Sequence, residues 1–200
     1  MAPSSAEHPV FPLSTVVFPG GVLPLRIFEP RYLDMVSHCM REASSFVICA
    51  AQAVEDGGFA APRAMGTEVR IIDFDRLDDG ALGITVQGEA RVALDNARCA
   101  ADGLWWARMR SQTEADDTPC PIEFTQLKQI AAALIDQTGL PYPEAERRYE
   151  SAAWLSARLT ELLPFDAATK HELLAMDDPA ERLQRIRPMI EIENTGRRAE

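Results

Sequence analysis

The sequence predicts an α+β fold, with a β-rich N-terminal part followed by a helical C-terminal part. Three observations predict it. Segments rich in β-branched and aromatic residues, several of them alternating, run from the N-terminus to LWWARMR. The Asp-Gly pairs at Asp79-Gly80 and Asp102-Gly103 punctuate the later ones as hairpin turns would. Beyond the acidic stretch EADDTPCP the apolar period becomes helical and stays so. Strands first and helices second divide the chain into a β-rich subdomain at residues 8–117 and a helical subdomain at 118–195, meeting near Thr118.

Val10–Val17 and Val22–Phe28 read as strands, with turn chemistry between them. Pro19 at position i+1 and Gly20 at i+2 suit a type II turn, which needs a positive φ at i+2. A phosphate-cradling loop would open directly into a helix, whereas VLPLRIF continues as strand, so Gly20-Gly21 reads as a turn. Pro12 and Pro24 cannot donate to a central ladder, which puts them at an edge, at a bulge or partly outside the sheet. Pro30 suits the first turn of a helix whose apolar stripe is Leu33, Val36, Met40 and Ala43. Ser45–Ala53 returns to strand, and Glu55–Ala64 reads as a loop. Asp79-Gly80 then joins TEVRIIDFDRL to ALGITVQ, and Asp102-Gly103 joins RVALDNARCAA to LWWARMR. The alternation changes phase at Ile71-Ile72, which either a β-bulge or burial on both faces would explain.

In the helical part, Phe124, Leu127, Ile130, Ala131 and Leu134 form an apolar face ended by Gly139 and Pro141. A second helix carries Trp154, Leu155, Leu159 and Leu162 and stops near Pro164. A third, capped by Asp166, carries Leu173 and Leu174. The last begins at DDPAERL, with Asp178 as cap, Pro179 in the first helical position and Glu181 able to reach back. Pro188 falls inside it and predicts a kink or a restart.

Composition narrows the function. Two hundred residues, 46% hydrophobic and 26% charged, describe a globular chain with one sizeable core or two small ones. No apolar run reaches the roughly 18–20 residues of a membrane span. The start MAPSSAEHP lacks a secretory pattern, so a soluble, cytoplasmic protein is expected. A net charge of −11 argues against nucleic acid and against an acidic membrane surface as partners. Lysine occurs only at Lys128 and Lys170, while Arg147-Arg148 and Arg197-Arg198 read as a solvated helix face and a tail.

Catalytic and metal chemistry find no support. The cysteines Cys39, Cys49, Cys99 and Cys120 have neither zinc spacing nor a disulfide pattern, and Cys49 sits in the apolar FVICAA run as a small core hydrophobe. His38 and Cys39 are adjacent, so on a helix they diverge by about 100° and make a poor nucleophile–base pair. Asp73, Asp75, Asp78 and Asp79 lack the spacing of a calcium loop and read as solvated strand edges and a turn. No catalytic residues, cofactor or metal are therefore expected.

Three stretches carry a resemblance: FPLSTVVFPGGVLPLRIFEPRYLDMV, DDGALGITVQGEARVAL and DDPAERLQRI. Together they resemble the LON domain, the N-terminal substrate-binding module of the ATP-dependent protease Lon, in its stand-alone bacterial form, from about Pro9 to Ile192. The resemblance implies a PUA-like pseudobarrel with one helix, followed by a C-terminal helical bundle. It also implies a non-catalytic module that binds proteins or unfolded polypeptide segments, an adaptor or substrate-recognition role in proteolysis, and weak self-association. The chain departs from full-length Lon in having no G-x-x-x-x-G-K-[ST] phosphate loop.

Candidate contact residues follow. Docking is expected near the proline-rich edge and Trp106, with Phe28, Tyr32, Trp106, Arg108 and Arg110 as protein-binding residues. Trp105 shares a strand face with Ala107 and Met109, a core-like set, whereas Trp106 shares one with Arg108 and Arg110. Burial of Trp106 beneath helices or arginine stems is the competing reading. For EPRY, the alternative is that Glu29 and Arg31 fix the strand-to-helix corner, with Tyr32 half buried. The competing function is a small-molecule or nucleotide site in a cleft between the subdomains.

Overall fold

Strands β1 (His8–Leu13), β2 (Val22–Ile27), β3 (Phe46–Ala51), β4 (Pro62–Arg76), β5 (Leu82–Cys99) and β6 (Trp105–Ser111) form one sheet in the order β2-β5-β4-β3-β1-β6, and β5 pairs with β6 as well. This is a computed structural model describing residues 7–52, 60–113, 116–140, 142 and 147–196, with side chains of the last helix described through Ile190. The β5–β6 pairing closes β5, β4, β3, β1 and β6 into a ring and leaves β2 outside it, paired to β5 alone. β1 and β3 run parallel, and the other pairs are antiparallel. The long β5 makes closure possible, since Leu82–Gln87 pair with β2 and Val92–Cys99 with β6. A register shift between Asp95 and Arg98, with Asn96 at φ 55°, bends it between partners.

β3 is buried on both faces, which accounts for its unbroken apolar run. Val47 and Cys49 meet Val10, Val92, Leu94 and Ala107. Phe46 and Ile48 pack on the other side with Phe11, Val69, Ile84 and Val86 under helix α1 (Pro30–Glu42). Pro30 opens that helix as expected, but the stripe is displaced: Tyr32, Met35, Val36 and Cys39 are buried, while Leu33 and Met40 are exposed and Ala43 is the left-handed cap. Both stripes have helical spacing, and adjacent positions lie about 100° apart. The choice is made by the corner before the helix, where Arg31 Nη1 donates to the Gly103 carbonyl at 3.0 Å.

The two Asp-Gly turns take one form. Gly80 and Gly103 have φ of 85° and 86°, and Asp79 and Asp102 accept the amides of Ala81 and Leu104 at 3.0 Å. The Ile71-Ile72 phase change resolves as a bulge, with the register shifting between Ile71 and Asp73. Pro19-Gly20 forms the expected turn, with Gly20 at φ 73° and the Gly21 amide donating to the Phe18 carbonyl at 2.8 Å.

Some strand limits differ from expectation. β1 stops at Leu13 rather than Val17, because the following segment leaves the sheet for the helices: Val16 and Phe18 pack with Ala50, Ala157 and Leu174. β4 already begins at Pro62, so the end of the expected Glu55–Ala64 loop is strand, and residues 53–59 lie outside the described residues. Pro12 pairs only with β3, since β6 reaches no further than Val10.

A single 3-10 turn (Ile122–Phe124) leads into α2 (Thr125–Thr138), which is followed by α3 (Ala152–Leu162), α4 (Ala167–Ala175) and α5 (Pro179–Gly196). Ser151, Asp166 and Asp178 accept amides at the starts of the last three, and Gly139 ends α2 at φ 61°. Pro141 and Arg197-Arg198 lie outside the described residues. α5 runs unbroken through Pro188 instead of restarting. Ile186 and Ile190 on either side of the proline are buried in one cluster with Phe124, Leu155 and Leu183, so both halves pack on the same core. Arg147 and Arg148 precede α3 and are not helical; Arg147 bonds to Asp136 at 2.9 Å and to the Tyr142 carbonyl at 3.1 Å.

Candidate functional site

The EPRY corner is structural. Arg31 pairs with Glu29 at 2.6 Å, and its guanidinium lies 4.6 Å from the centre of the Tyr32 ring. Tyr32 is buried, its ring stacked on Phe11 at 3.9 Å, and burial raises its hydroxyl pKa. Tyr32 is therefore not available as a surface contact. Trp106 also turns inward, packing against the cluster that includes Tyr32 and Phe11. α1 lies on that face, so the arginine-flanked face of β6 starts beneath a helix and reaches solvent only at Arg108 and Arg110. Arg110 faces Asp95 at 3.6 Å. Phe28 is 67% exposed. The three exposed candidates do not converge: Phe28 follows β2, which pairs with the N-terminal half of β5, and the arginines lie beside the C-terminal half.

A different surface gathers around β2. The outer face of β2, β5 and β4 carries a groove of about 300 Å³ whose apolar lining comes from Pro24, Leu25, Phe74, Leu77 and Ile84. Gly83 makes room for it, since a Cβ there would come 2.9 Å from Leu77 Cδ2. Phe74 is 61% exposed, and Ile72, Leu77 and Phe28 add to the exposed apolar surface at this end of the sheet. The bulge at Ile72 and the protruding β4–β5 hairpin put these residues beyond the cover of the core. Sequence reasoning missed Phe74 and Leu77, although the Ile71-Ile72 phase change was the signal that one apolar set had no core to face.

Asp73 and Asp75 stand at the groove, each accepting the amide of its next residue, at 2.9 Å and 2.7 Å. Arg26 is paired with Asp79. Among the described residues, Asp73, Asp75 and Asp78 have no cationic partner within ion-pair distance.

The free edge of β2 is blunted. All six residues of β2 lie opposite β5, but the Val22 amide donates to the Tyr142 hydroxyl at 2.8 Å on the free side. With a period of two, Pro24 shares that outward phase and offers no donor, so the proline stands where the sheet needs none. Burial pushes the Tyr142 hydroxyl up to about 12, which keeps it neutral beside this edge.

Sequence reasoning also missed a buried polar joint between sheet and helices. Arg158 and Glu161 of α3 pair at 2.7 Å, and Glu161 accepts the Phe18 amide at 2.6 Å. Burial raises the Glu161 carboxyl above its ordinary range, against the opposing pull of Arg158. Lys170 donates to the Glu161 carbonyl at 2.8 Å and to Thr15 Oγ1 at 3.1 Å, and burial lowers its pKa. Arg91 of β5 donates to the Leu174 carbonyl and to Asp177, both at 2.9 Å. Arg158 and Glu161 sit within the otherwise apolar helical pattern AWLSARLTELL, and that was the available signal.

A cleft of about 210 Å³ does lie between the Phe18-Pro19 turn and the helices, lined also by Trp154 and Arg182. Its buried cation is already engaged: Arg182 donates to the Leu173 carbonyl at 2.9 Å and to Ser156 Oγ at 3.0 Å, and it also bonds the Met176 carbonyl. Among the described residues no group of three or more His, Cys, Asp or Glu is placed to hold a metal ion, and no helix is long and apolar enough to cross a membrane. Cys39 is buried, and burial pushes the Cys49 thiol up to about 12, away from nucleophilic chemistry.

This architecture matches solved structures. It is similar to a Lon N-terminal domain protein from Xanthomonas campestris, with a TM-score of 0.70 and 34% identity over 90% of this chain and 96% of that one. The N-terminal domain of a Mycobacterium avium complex Lon protease shares the fold at a TM-score of 0.61 and 20% identity. Among full sequences, a LON peptidase N-terminal domain and RING finger protein of Schizosaccharomyces pombe is 26% identical over 88% of this chain, and the Lon protease of Xanthomonas oryzae is 23% identical over 94%. The alignments span 43% and 23% of those two proteins. The matched region is the substrate-binding domain and not the protease domain. With residues 7–191 matching its pattern, the chain belongs to the ATP-dependent protease La (LON) substrate-binding domain family.

Proposed function

We propose that this protein is a non-catalytic LON module that binds polypeptides and acts as an adaptor or substrate-recognition factor for proteolysis. Family membership supports the polypeptide-binding part. The observation that carries it in this chain is the exposed apolar surface at the end of the sheet, where the exposed Phe74 and Leu77 line a groove of about 300 Å³. Large apolar residues left exposed along such a groove are unusual on a surface with no partner. Phe28 remains a contact residue in this reading, and Arg108 and Arg110 offer a separate polar patch on β6.

The test is a calorimetric or fluorescence titration of the purified chain with reduced, permanently unfolded model proteins and with their folded forms. Binding to the unfolded form alone is the expected result. Absence of binding to both overturns the proposal.

A further inference from the structure

We infer that the groove between β2 and the β4–β5 hairpin selects an apolar side chain presented by a basic segment, held through its side chains and not by strand addition. This rests on the polypeptide-binding reading and names the class of segment recognised.

The apolar half of the argument is the lining. Pro24, Leu77 and Phe74 provide a shallow slot, and Gly83 forms its floor. The slot has room for one large side chain rather than a helix.

Charge supplies the other half. Asp73, Asp75, Asp78 and Asp79 face two cations at this end of the sheet, Arg26 and Arg76. Arg26 is already committed to Asp79, and Arg76 lies by the Gly80 turn. Asp73 and Asp75 are left at the groove with spare carboxylate oxygens, each having one oxygen engaged by its neighbour's amide. A lysine or arginine flanking the inserted side chain would meet them, and the net charge of −11 would draw it in.

The backbone of β2 argues against strand addition. An added strand needs the outward amides of Val22, Pro24 and Arg26. The first is taken by Tyr142 and the second does not exist.

Fluorescence anisotropy with four labelled peptides tests this. All share a Phe-Leu centre in a Gly/Ser background, flanked by lysines, by serines, by glutamates, or by lysines with alternate amides N-methylated. The lysine peptide should bind best, about two- to tenfold tighter than the serine peptide at low salt, a margin that shrinks by 0.5 M salt. Asp73→Asn with Asp75→Asn should erase that margin. Phe74→Ser should weaken the lysine peptide about tenfold or more. N-methylation should change little, since no backbone pairing is involved.

Equal binding of lysine and serine peptides overturns the charge selection while leaving polypeptide binding intact. Loss of binding on N-methylation overturns side-chain docking in favour of strand addition. An unaffected Phe74→Ser variant moves the site elsewhere. Concentration-dependent dimerisation abolished by Phe74→Ser would make a second copy of the chain the occupant and overturn the assignment. Failure of every peptide together with unfolded model proteins would strike at the underlying function instead.

Discussion

Glu161→Ala should destabilise the fold far more than a surface carboxylate would. In the native state the Glu161 side chain is 10% exposed and pairs with Arg158, which is fully buried. It also accepts the Phe18 amide at 2.6 Å. Truncation leaves a guanidinium in the interior with the Pro19 carbonyl at 3.5 Å and the rings of Tyr142 and Trp154, at 5.3 Å and 5.9 Å, as neighbours. Removing one partner of a buried pair costs about 3–5 kcal/mol, because the other charge stays desolvated. An orphaned buried amide costs about 1–3 kcal/mol, and the two losses overlap since one group causes both. A total near 4 kcal/mol would lower the melting temperature of a chain this size by roughly 8–16 °C. Urea unfolding followed by tryptophan fluorescence measures it, with an unchanged m-value showing that the same surface is exposed. Arg158→Met combined with Glu161→Leu should recover much of the loss, since neither charge is then stranded. A loss below about 1 kcal/mol for Glu161→Ala at constant m would refute the argument that this carboxylate ties sheet to helices.

Gly88→Ala should cost about 1–3 kcal/mol, because the added Cβ would fall onto the Phe18 carbonyl, a backbone group that cannot rotate aside; a melting curve matching the parent would show that the loop yields. Among the thiols, Cys99 is exposed while Cys39, Cys49 and Cys120 are buried with their pKa values raised by burial. Native alkylation read by mass spectrometry should modify Cys99 first and the others only on unfolding, and rapid labelling of Cys49 would contradict its burial. His171 has its pKa lowered, chiefly by burial and then by Arg63. The unfolded chain takes up that proton near pH 6.5 while the folded chain resists it, so stability falls as pH drops through about 6.5 toward the lower folded value. His171→Gln should flatten the melting temperature between about pH 7 and 5.5, and an unaltered slope would exclude His171 as the cause.

Much of the fold is legible in the chain because it is local. Asp79-Gly80 and Asp102-Gly103 dictate hairpins through a glycine in the left-handed region and an aspartate closing the turn. Asp166 and Asp178 announce helices by satisfying amides within three residues, and the structure adds Ser151 in the same role for α3. The candidate site was only partly legible. Phe28 lies on the surface, whereas Tyr32 is buried and Trp106 partly so, because exposure depends on what another part of the chain lays over a face. Period-two alternation shows that Trp105 and Trp106 point apart, but α1 decides which face is covered.

By itself, then, the sequence determined the order of elements, their caps and turns, and through its proline-rich FPGGVLPLRIFEPRY signature the family. Tertiary structure alone decided the ring closure through β5, the inward rotation of Tyr32, the unbroken passage of α5 through Pro188, and the grouping of Phe74 with Pro24. The division follows from range. Turns and caps are settled by groups a few residues apart, whereas burial and pairing are settled between segments such as Phe18 and Glu161, which are 143 positions apart and meet only when the whole chain has folded.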